Sequence, residues 1–332
     1  MITPVLIVIV FIALFFEFTN GFHDAANVVA TPIATKSLTP NQAIILSAFF
    51  NFLGAFFGTA VAATISKGLV DSNFVTDIVL ISALLGAIIW NFFTWSFGVP
   101  SSSSHALIGS LVGAVIISSS YHNVNFLTVV NKVIFPMVNS PIMAFFLALM
   151  ICILLLNIFT KFIFKVRTTN KYLRELQILS TSLLSFSHGS NDAQKTMSII
   201  TLALLSAGLV ETTKVPTWVI VICGAAMGLG TLSGGRKIIK TLSSKLSKLE
   251  PINAVSAELS SGILILGASH IGLPVSTTQV ASGSIMGAGY INSGINTKVV
   301  SKIVIAWFLT IPACIVVTSI VYIILYNTFG DF

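Results

Sequence analysis

Charged residues are scarce in this chain. Only 8% of its 332 residues are Asp, Glu, Lys or Arg, whereas soluble domains carry about 25%. The hydrophobic share is 55% and the mean hydropathy is +0.99. Such a chain cannot cover itself with polar surface, which excludes an ordinary soluble domain. Because only helices and closed barrels satisfy the backbone within a bilayer, the long apolar runs predict an all-α polytopic membrane protein.

Cysteine is equally sparse and has no metal-type spacing. The three cysteines lie far apart within apolar runs, at Cys152, Cys223 and Cys314. They predict neither a metal cluster nor a cofactor. A net charge of +7 would suggest nucleic acid in a soluble protein. Here the basic residues collect between apolar runs, so we expect them to set membrane topology, with no nucleic-acid partner.

Apolar stretches of about 20 residues can cross a bilayer, and this chain predicts about 10–12 segments. The approximate candidates are 4–35, 42–65, 76–98, 105–119, 142–165, 172–210, 217–235, 254–271, 279–290 and 303–327, with a weaker one at 126–138. Polar motifs are expected to break 4–35 and 172–210, while 105–119 and 279–290 are too short to span comfortably. Broken and short helices at matching places in two halves mark the binding site of a transporter.

Two polar motifs occur twice, in the same order in each half. The first reads Asn-Gly-Phe-His-Asp-Ala-Ala-Asn at 20–27 and His-Gly-Ser-Asn-Asp-Ala-Gln-Lys at 188–195. The second reads Gly-Val-Pro-Ser-Ser-Ser-Ser-His at 98–105 and Gly-Leu-Pro-Val-Ser-Thr-Thr-Gln at 272–279. Such self-similarity indicates an internal repeat.

The residue types of these motifs suit the binding of ions. Asp24 and Asp192 are carboxylates within apolar sequence, which is costly unless they hold a partner. Proline followed by Ser and Thr is typical of a helix N-terminus. The second motif therefore predicts helix starts at 101–104 and 276–278, whose free N–H groups suit phosphate or sulfate. The hydroxyl oxygens could also bind sodium.

Loop charge predicts the topology. The basic loops 161–174 and 236–248 are expected in the cytoplasm. The loop 66–77 has no positive bias, which places it and the N-terminus outside. The halves then have opposite topology. We predict a first inverted repeat at 1–160, a basic linker at 161–174 and a second inverted repeat at 175–332.

The motifs resemble those of a known family. Both copies of the first are similar to Gly-Ala-Asn-Asp-Val-Ala-Asn, the signature of the inorganic phosphate transporter (PiT) family. The run Leu-Pro-Val-Ser-Thr-Thr-Gln resembles that family's Leu-Pro-Val-Ser-Ser-Thr-His. Phe22 stands where the pattern has Ala, and His23 and Lys195 stand where it has Asn. The resemblance implies an inverted-repeat phosphate symporter of the cell membrane, driven by sodium or protons, and not an enzyme.

Site residues are predicted from this resemblance and from the chemistry of helix ends. The expected sodium ligands are Asp24, Asp192, Asn27, Asn191, Ser102, Ser104, Ser276 and Thr278. The expected phosphate ligands are Asn27, Ser103, Ser104, His105, Lys195, Thr277, Thr278 and Gln279. Glu258, in a stretch that resembles one with an important family glutamate, is a candidate for an additional ion site.

We therefore predict alternating-access co-transport of inorganic phosphate with sodium ions. The alternative is a proton-coupled phosphate or sulfate permease, because a proton needs only a carboxylate and sulfate can use the same helix ends. A channel and an enzyme acting on a lipid phosphate are weaker alternatives, since a doubled site suits alternating access. The expected partners are phosphate, sodium and the lipid bilayer, and a homodimer is left open.

Overall fold

The computed structural model describes residues 3–70, 74–162, 166–234, 236–291 and 294–330. They form α1 (Pro4–Ala34), α2 (Pro40–Gly54), α3 (Ala60–Gly68), α4 (Asp77–Phe97), α5 (Ser103–Ser118), α6 (Phe126–Val129), α7 (Phe135–Phe162), α8 (Val166–Ser206), α9 (Thr217–Ser233), α10 (Arg236–Lys240), α11 (Pro251–His270), α12 (Thr277–Gly289) and α13 (Thr297–Phe329). A 3₁₀ turn lies at Tyr121–Asn123, and π-helical turns lie at Val130–Ile134 and Thr241–Leu246. Within the described ranges the extended structure is an isolated bridge between Val70 and Val124. The predicted all-α class is confirmed.

Several helices are suited to cross a membrane. Among the described residues, five apolar helices are long enough, at Pro4–Ala34, Asp77–Phe97, Phe126–Lys161, Pro251–His270 and Thr297–Phe329. The apolar helices α5 and α9 are shorter, with 16 and 17 residues. The fold is that of a polytopic membrane protein, with short helices where the second motif predicts them.

The order of helices repeats along the chain. Helices α1 to α5 and then α7 correspond to α8 to α12 and then α13. Helix α1 packs on α9, while α8 packs on α2. Helix α13 packs on α4 and α5, while α7 packs on α11 and α12. The last long helix of each half therefore packs on helices of the other half. The residue boundaries of the repeats stay predictions.

The predicted helix breaks at the first motif are wrong. Helix α1 runs continuously through 20–27, and α8 runs through 188–195. The motif glycines allow a neighbouring helix to approach closely, and they do not end the helix in which they lie. A Cβ at Gly21 would lie 2.5 Å from the Met227 carbonyl oxygen, and one at Gly189 would overlap the carbonyl of Asn51. Small residues that allow such close approach are typical of membrane helix interfaces.

Helices α1 and α8 run in opposite directions. Thr35, after the end of α1, donates a 2.8 Å hydrogen bond to Gln177 in the first part of α8. Glu17, in the first half of α1, accepts a hydrogen bond from Thr196 near the end of α8. Opposite directions are what inverted repeats require, and the inversion across the membrane itself stays a prediction.

The breaks lie elsewhere in the chain. The candidate 42–65 divides into α2 and α3 around 55–59. The Oε1 atom of Gln194 accepts hydrogen bonds from the backbone N–H groups of Val61 at 2.8 Å and Ala62 at 3.3 Å, which satisfies the start of α3. Conversely, 126–138 and 142–165 join in one helical run. Periodicity alone did not locate these ends.

The two basic segments are not open loops. Residues 236–246 are helical, because Ile238, Ile239, Leu242 and Leu246 pack into a core cluster with α1. Residues 166–174 belong to α8. Positions 71–73 of the predicted outer loop and 163–165 of the predicted linker lie outside the described residues. The cytoplasmic location of both basic segments and the external N-terminus stay predictions.

Candidate functional site

Asp24 is buried in α1, and its carboxylate accepts hydrogen bonds from hydroxyl groups of both halves of the chain. Its Oδ2 atom accepts a 3.0 Å hydrogen bond from Ser103 in the first turn of α5. Its Oδ1 atom accepts one of 3.3 Å from Thr278 in the first turn of α12. The Nδ1 atom of His23 lies 2.7 Å from the same Oδ1. Asp24 thus connects the two short helices.

Asp192 occupies the matching place in α8 and has a direct cationic partner. The Lys195 ammonium donates to its Oδ1 atom, and Thr277 donates a 3.0 Å hydrogen bond to its Oδ2 atom. The His188 Nε2 atom lies 3.2 Å from Oδ2. Lys195 also donates to the Ser104 hydroxyl, so this aspartate too is tied to both halves.

The two aspartates belong to one cluster. One ligand atom each from Asp24, His188 and Asp192 lie within 4.8 Å of one another. All three side chains are buried. Two carboxylates this close repel each other in a low-dielectric interior unless a cation or proton lies between them. The arrangement therefore suits the binding of a cation.

The N-termini of the two short helices meet at this cluster. Ser102 caps α5 by accepting from the His105 backbone N–H at 3.2 Å, and Ser276 caps α12 by accepting from that of Gln279 at 3.3 Å. The Ser104 hydroxyl lies 3.4 Å from the carbonyl oxygen of Val275. The predicted helix starts are confirmed. Two positive helix ends beside one another form a setting that attracts an anion.

His105 and Gln279 occupy equivalent positions in the two short helices, and both lack partners. Both ring nitrogens of His105 and both amide atoms of Gln279 are buried without a hydrogen bond among the described residues. Buried polar atoms are costly when unpaired. These four atoms are therefore available to a bound ligand.

Asn27 and Asn191, the two asparagines predicted as ligands, each keep one unpaired amide oxygen in the described part of the chain. Asn27 donates a 2.9 Å hydrogen bond to Thr278, and its Oδ1 atom is buried without a partner in the described part of the chain. Asn191 donates to the Ser269 hydroxyl at 3.0 Å and to the Leu273 carbonyl at 3.3 Å, and its Oδ1 atom is likewise unpaired. Asn27 lies at the aspartate cluster through Thr278, whereas Asn191 faces the end of α11.

Glu258 lies in a separate polar pocket. Its carboxylate accepts hydrogen bonds from Thr31 on α1 and from three residues of α8: Gln177 at 2.9 Å, Thr181 at 3.0 Å, and Ser180. Thr31 lies seven residues beyond Asp24, which is about 10 Å along a helix. The structure thus separates this predicted additional site from the aspartate cluster.

His188 is a member of the cluster that sequence reasoning missed. It precedes Asp192 by four residues, so both lie on one face of a helix. That signal is present in the sequence, but it has meaning only if α8 is continuous there. Gln177 was also missed, since nothing local relates it to Glu258.

Comparisons with known proteins agree with these observations. Residues 20–318 match the profile of the phosphate transporter family. A "Probable low-affinity inorganic phosphate transporter" of Bacillus subtilis (strain 168) is 46% identical over 96% of each chain. A protein of the same description from Rhizobium meliloti (strain 1021) is 42% identical, again over 96% of each chain.

A solved structure described as "The sodium-dependent phosphate transporter" has the same fold. It superposes with a TM-score of 0.83 over 98% of this chain and 100% of the other, at 23% sequence identity. The resemblance of the motifs to the PiT family is thereby confirmed over nearly the whole chain. This chain belongs to the phosphate transporter family, whose members are transporters and not enzymes.

Proposed function

We propose that this chain co-transports inorganic phosphate with sodium ions by alternating access. The observation that carries the proposal is the convergence of Asp24, Asp192 and the N-termini of α5 and α12 on one buried cluster. Each half supplies one aspartate and one helix end. A site shared by two halves can open to either side as the halves move against each other.

The balance of charge supports cation coupling. Asp24, Asp192 and Lys195 together carry a net charge of −1 when the histidines are neutral. Adding a phosphate anion would make this buried site more negative, which costs free energy in a low-dielectric interior. Two sodium ions would offset that charge. Within the described part of the chain no lysine or arginine pairs with Asp24, so we place one ion there and the second beside Asp192.

The ligands divide according to their chemistry. We assign phosphate to the donors: the two helix N-termini, Lys195, His105 and Gln279. We assign sodium to the oxygen atoms of the aspartates and of the hydroxyls that bind them. Asn27 joins both groups, since its amide nitrogen donates and its Oδ1 atom is free.

Glu258 is proposed as an additional sodium site. Hydroxyl oxygens of Thr31, Ser180 and Thr181 surround its carboxylate, and these can rotate to present lone pairs to a cation. The change Glu258→Gln should then lower the steepness with which uptake depends on sodium concentration. An unchanged dependence would exclude the site.

An open cavity of about 770 Å³ lies beside this pocket. Its lining includes Lys171 and Arg174 of α8, and also Ser37, whose hydroxyl donates to Gln177 at 2.5 Å. The lining also contains Glu175, which lies 3.9 Å from the Lys171 ammonium, so Arg174 leaves it with a net positive charge that attracts anions. We propose that it is the cytoplasmic vestibule, in agreement with the orientation predicted from loop charge.

Phosphate uptake into proteoliposomes tests the function. We expect an inward sodium gradient to accelerate uptake of radiolabelled phosphate at symmetrical pH, and a choline gradient to have no effect. Uptake that follows only a pH gradient would instead favour the proton-coupled alternative. Excess sulfate should compete weakly, because sulfate cannot donate a hydrogen bond to the site; strong competition would favour a sulfate permease.

A further inference from the structure

Glu17 is a second buried carboxyl group on α1, and the phosphate and sodium sites do not use it. It lies seven residues before Asp24 and is fully buried. One oxygen, Oε2, accepts a hydrogen bond from the Thr196 hydroxyl on α8. The other oxygen, Oε1, has no hydrogen-bond partner among the described residues.

The surroundings of Glu17 are polar but do not neutralise a charge. Asn20 lies three residues further on the same helix, and therefore on the same face as Glu17. Neither amide atom of Asn20 forms a hydrogen bond within the described structure. Among the described residues, the charged and titratable groups that interact electrostatically with Glu17 are Asp192 and Lys195 on α8 and Cys223 on α9. The Lys195 ammonium is hydrogen-bonded to Asp192 and Ser104.

Glu258 provides a comparison within the same chain. Both glutamates are fully buried, but among the described residues Glu258 accepts hydrogen bonds from four side chains and Glu17 from one. Several hydrogen bonds stabilise the charged form of a carboxyl group, whereas burial without them favours the neutral acid. Ionising Glu17, whose Oε1 atom accepts no hydrogen bond among the described residues, would therefore cost far more free energy than ionising Glu258.

We propose that Glu17 is a proton-binding site, separate from the aspartate cluster, and that it holds its proton in this conformation. The carboxylate takes one proton to become a carboxylic acid, and it loses that proton when the site opens to water. Thr196, which donates the one hydrogen bond that Glu17 accepts within the described residues, directly follows Lys195 in α8. A shift of α8 as ions leave Asp192 would therefore change the contact of Glu17.

This proposal rests on the proposed transport function for its role in the cycle, but protonation can be measured without transport. Infrared difference spectra of the purified protein should contain the carbonyl band of a buried carboxylic acid, which shifts in D₂O. We expect Glu17→Gln to remove that band. We expect Glu258→Gln and Glu211→Gln to retain it, the first as a matched buried glutamate and the second as an exposed one.

A second experiment measures proton movement during transport. In proteoliposomes that contain a pH-sensitive dye, the number of protons moved per phosphate should be lower in Glu17→Gln than in the wild type by about one. Glu211→Gln should match the wild type. Size-exclusion profiles report whether each variant is folded, sodium-dependent thermal stabilisation reports whether it still binds sodium, and Glu17→Asp serves as a conservative variant that should keep the infrared band.

The outcomes separate the two proposals. If the infrared band is absent from the wild type, or persists in Glu17→Gln, the proton site is wrong whatever the transport result. If Glu17→Gln folds but loses sodium-dependent stabilisation, Glu17 is a sodium ligand and the proton site is again wrong. If the wild type takes up no phosphate under any gradient, the transport function fails, and the infrared result still decides the protonation of Glu17.

Discussion

Replacing Lys195 by methionine tests the balance of charge in the aspartate cluster. Lys195 is 1% exposed, and its ammonium donates to Asp192 and Ser104. Lys195→Met would leave the Asp192 carboxylate with the Thr277 hydroxyl and the His188 ring. Removing one partner of a buried ion pair costs about 3–5 kcal/mol. At roughly 2 °C per kcal/mol, a value typical of larger domains, the midpoint of thermal unfolding should fall by about 6 °C or more in sodium-free buffer.

Sodium should reverse much of this loss, because a cation beside Asp192 replaces the missing ammonium. A ligand at 100 times its Kd stabilises the folded state by about 2.7 kcal/mol. The assay is thermal unfolding of the purified protein in detergent, with sodium or choline chloride at equal ionic strength. We expect the gain from sodium to be larger in Lys195→Met than in the wild type.

Two further variants make the test decisive. Lys214→Met removes an exposed lysine and should behave as the wild type. The double variant with Asp192→Asn removes both charges, so without sodium it should be more stable than Lys195→Met alone. Equal stability of Lys195→Met and Lys214→Met without sodium, or no gain of stability in the double variant, would show that Lys195 does not neutralise Asp192.

Three other substitutions have defined outcomes. Gln279→Leu should weaken phosphate binding about tenfold or more, because phosphate loses one hydrogen bond to a charged group. Thermal stability without phosphate should not fall, because both amide atoms of Gln279 are unpaired among the described residues. Ser103→Ala should raise the sodium Kd by about three- to tenfold, because Asp24 loses a 3.0 Å hydrogen bond. Gly189→Ala should prevent assembly of a monodisperse protein, because its Cβ would overlap the Asn51 carbonyl.

Controls for these variants come from the same chain. Ser233→Ala changes an exposed serine and should leave sodium binding unchanged. Gly267→Ala adds a Cβ with no atom within 4 Å and should assemble normally. Phosphate titrations by calorimetry and sodium titrations by thermal shift measure the affinities. Unaltered phosphate affinity in Gln279→Leu, unaltered sodium affinity in Ser103→Ala, or normal assembly of Gly189→Ala would each contradict the corresponding argument.

The second motif was well predicted, because its signals are local. Proline followed by Ser and Thr specifies a helix start wherever it occurs, and Ser102 and Ser276 cap their helices as expected. The first motif was read less well. A glycine in an apolar helix can end that helix or allow another helix to approach closely. The outcome at Gly21 and Gly189 depends on the packing of α9 and α2 against them. Treating the motif as a break also concealed the pairing of His188 with Asp192.

The membrane class, the family and most of the candidate ligands follow from the amino-acid sequence alone. Scarce charge and four motif copies are properties of the chain that need no partner. The packing of the helices brings Asp24 to Thr278, 254 residues away, and places both aspartates in one cluster. Helix packing also gives Glu258 four side-chain hydrogen-bond donors, whereas the Oε1 atom of Glu17 has no hydrogen-bond partner in the described part of the chain. The hydrogen bonding and protonation of a buried polar group depend on which side chains surround it, and helices distant in sequence supply those side chains.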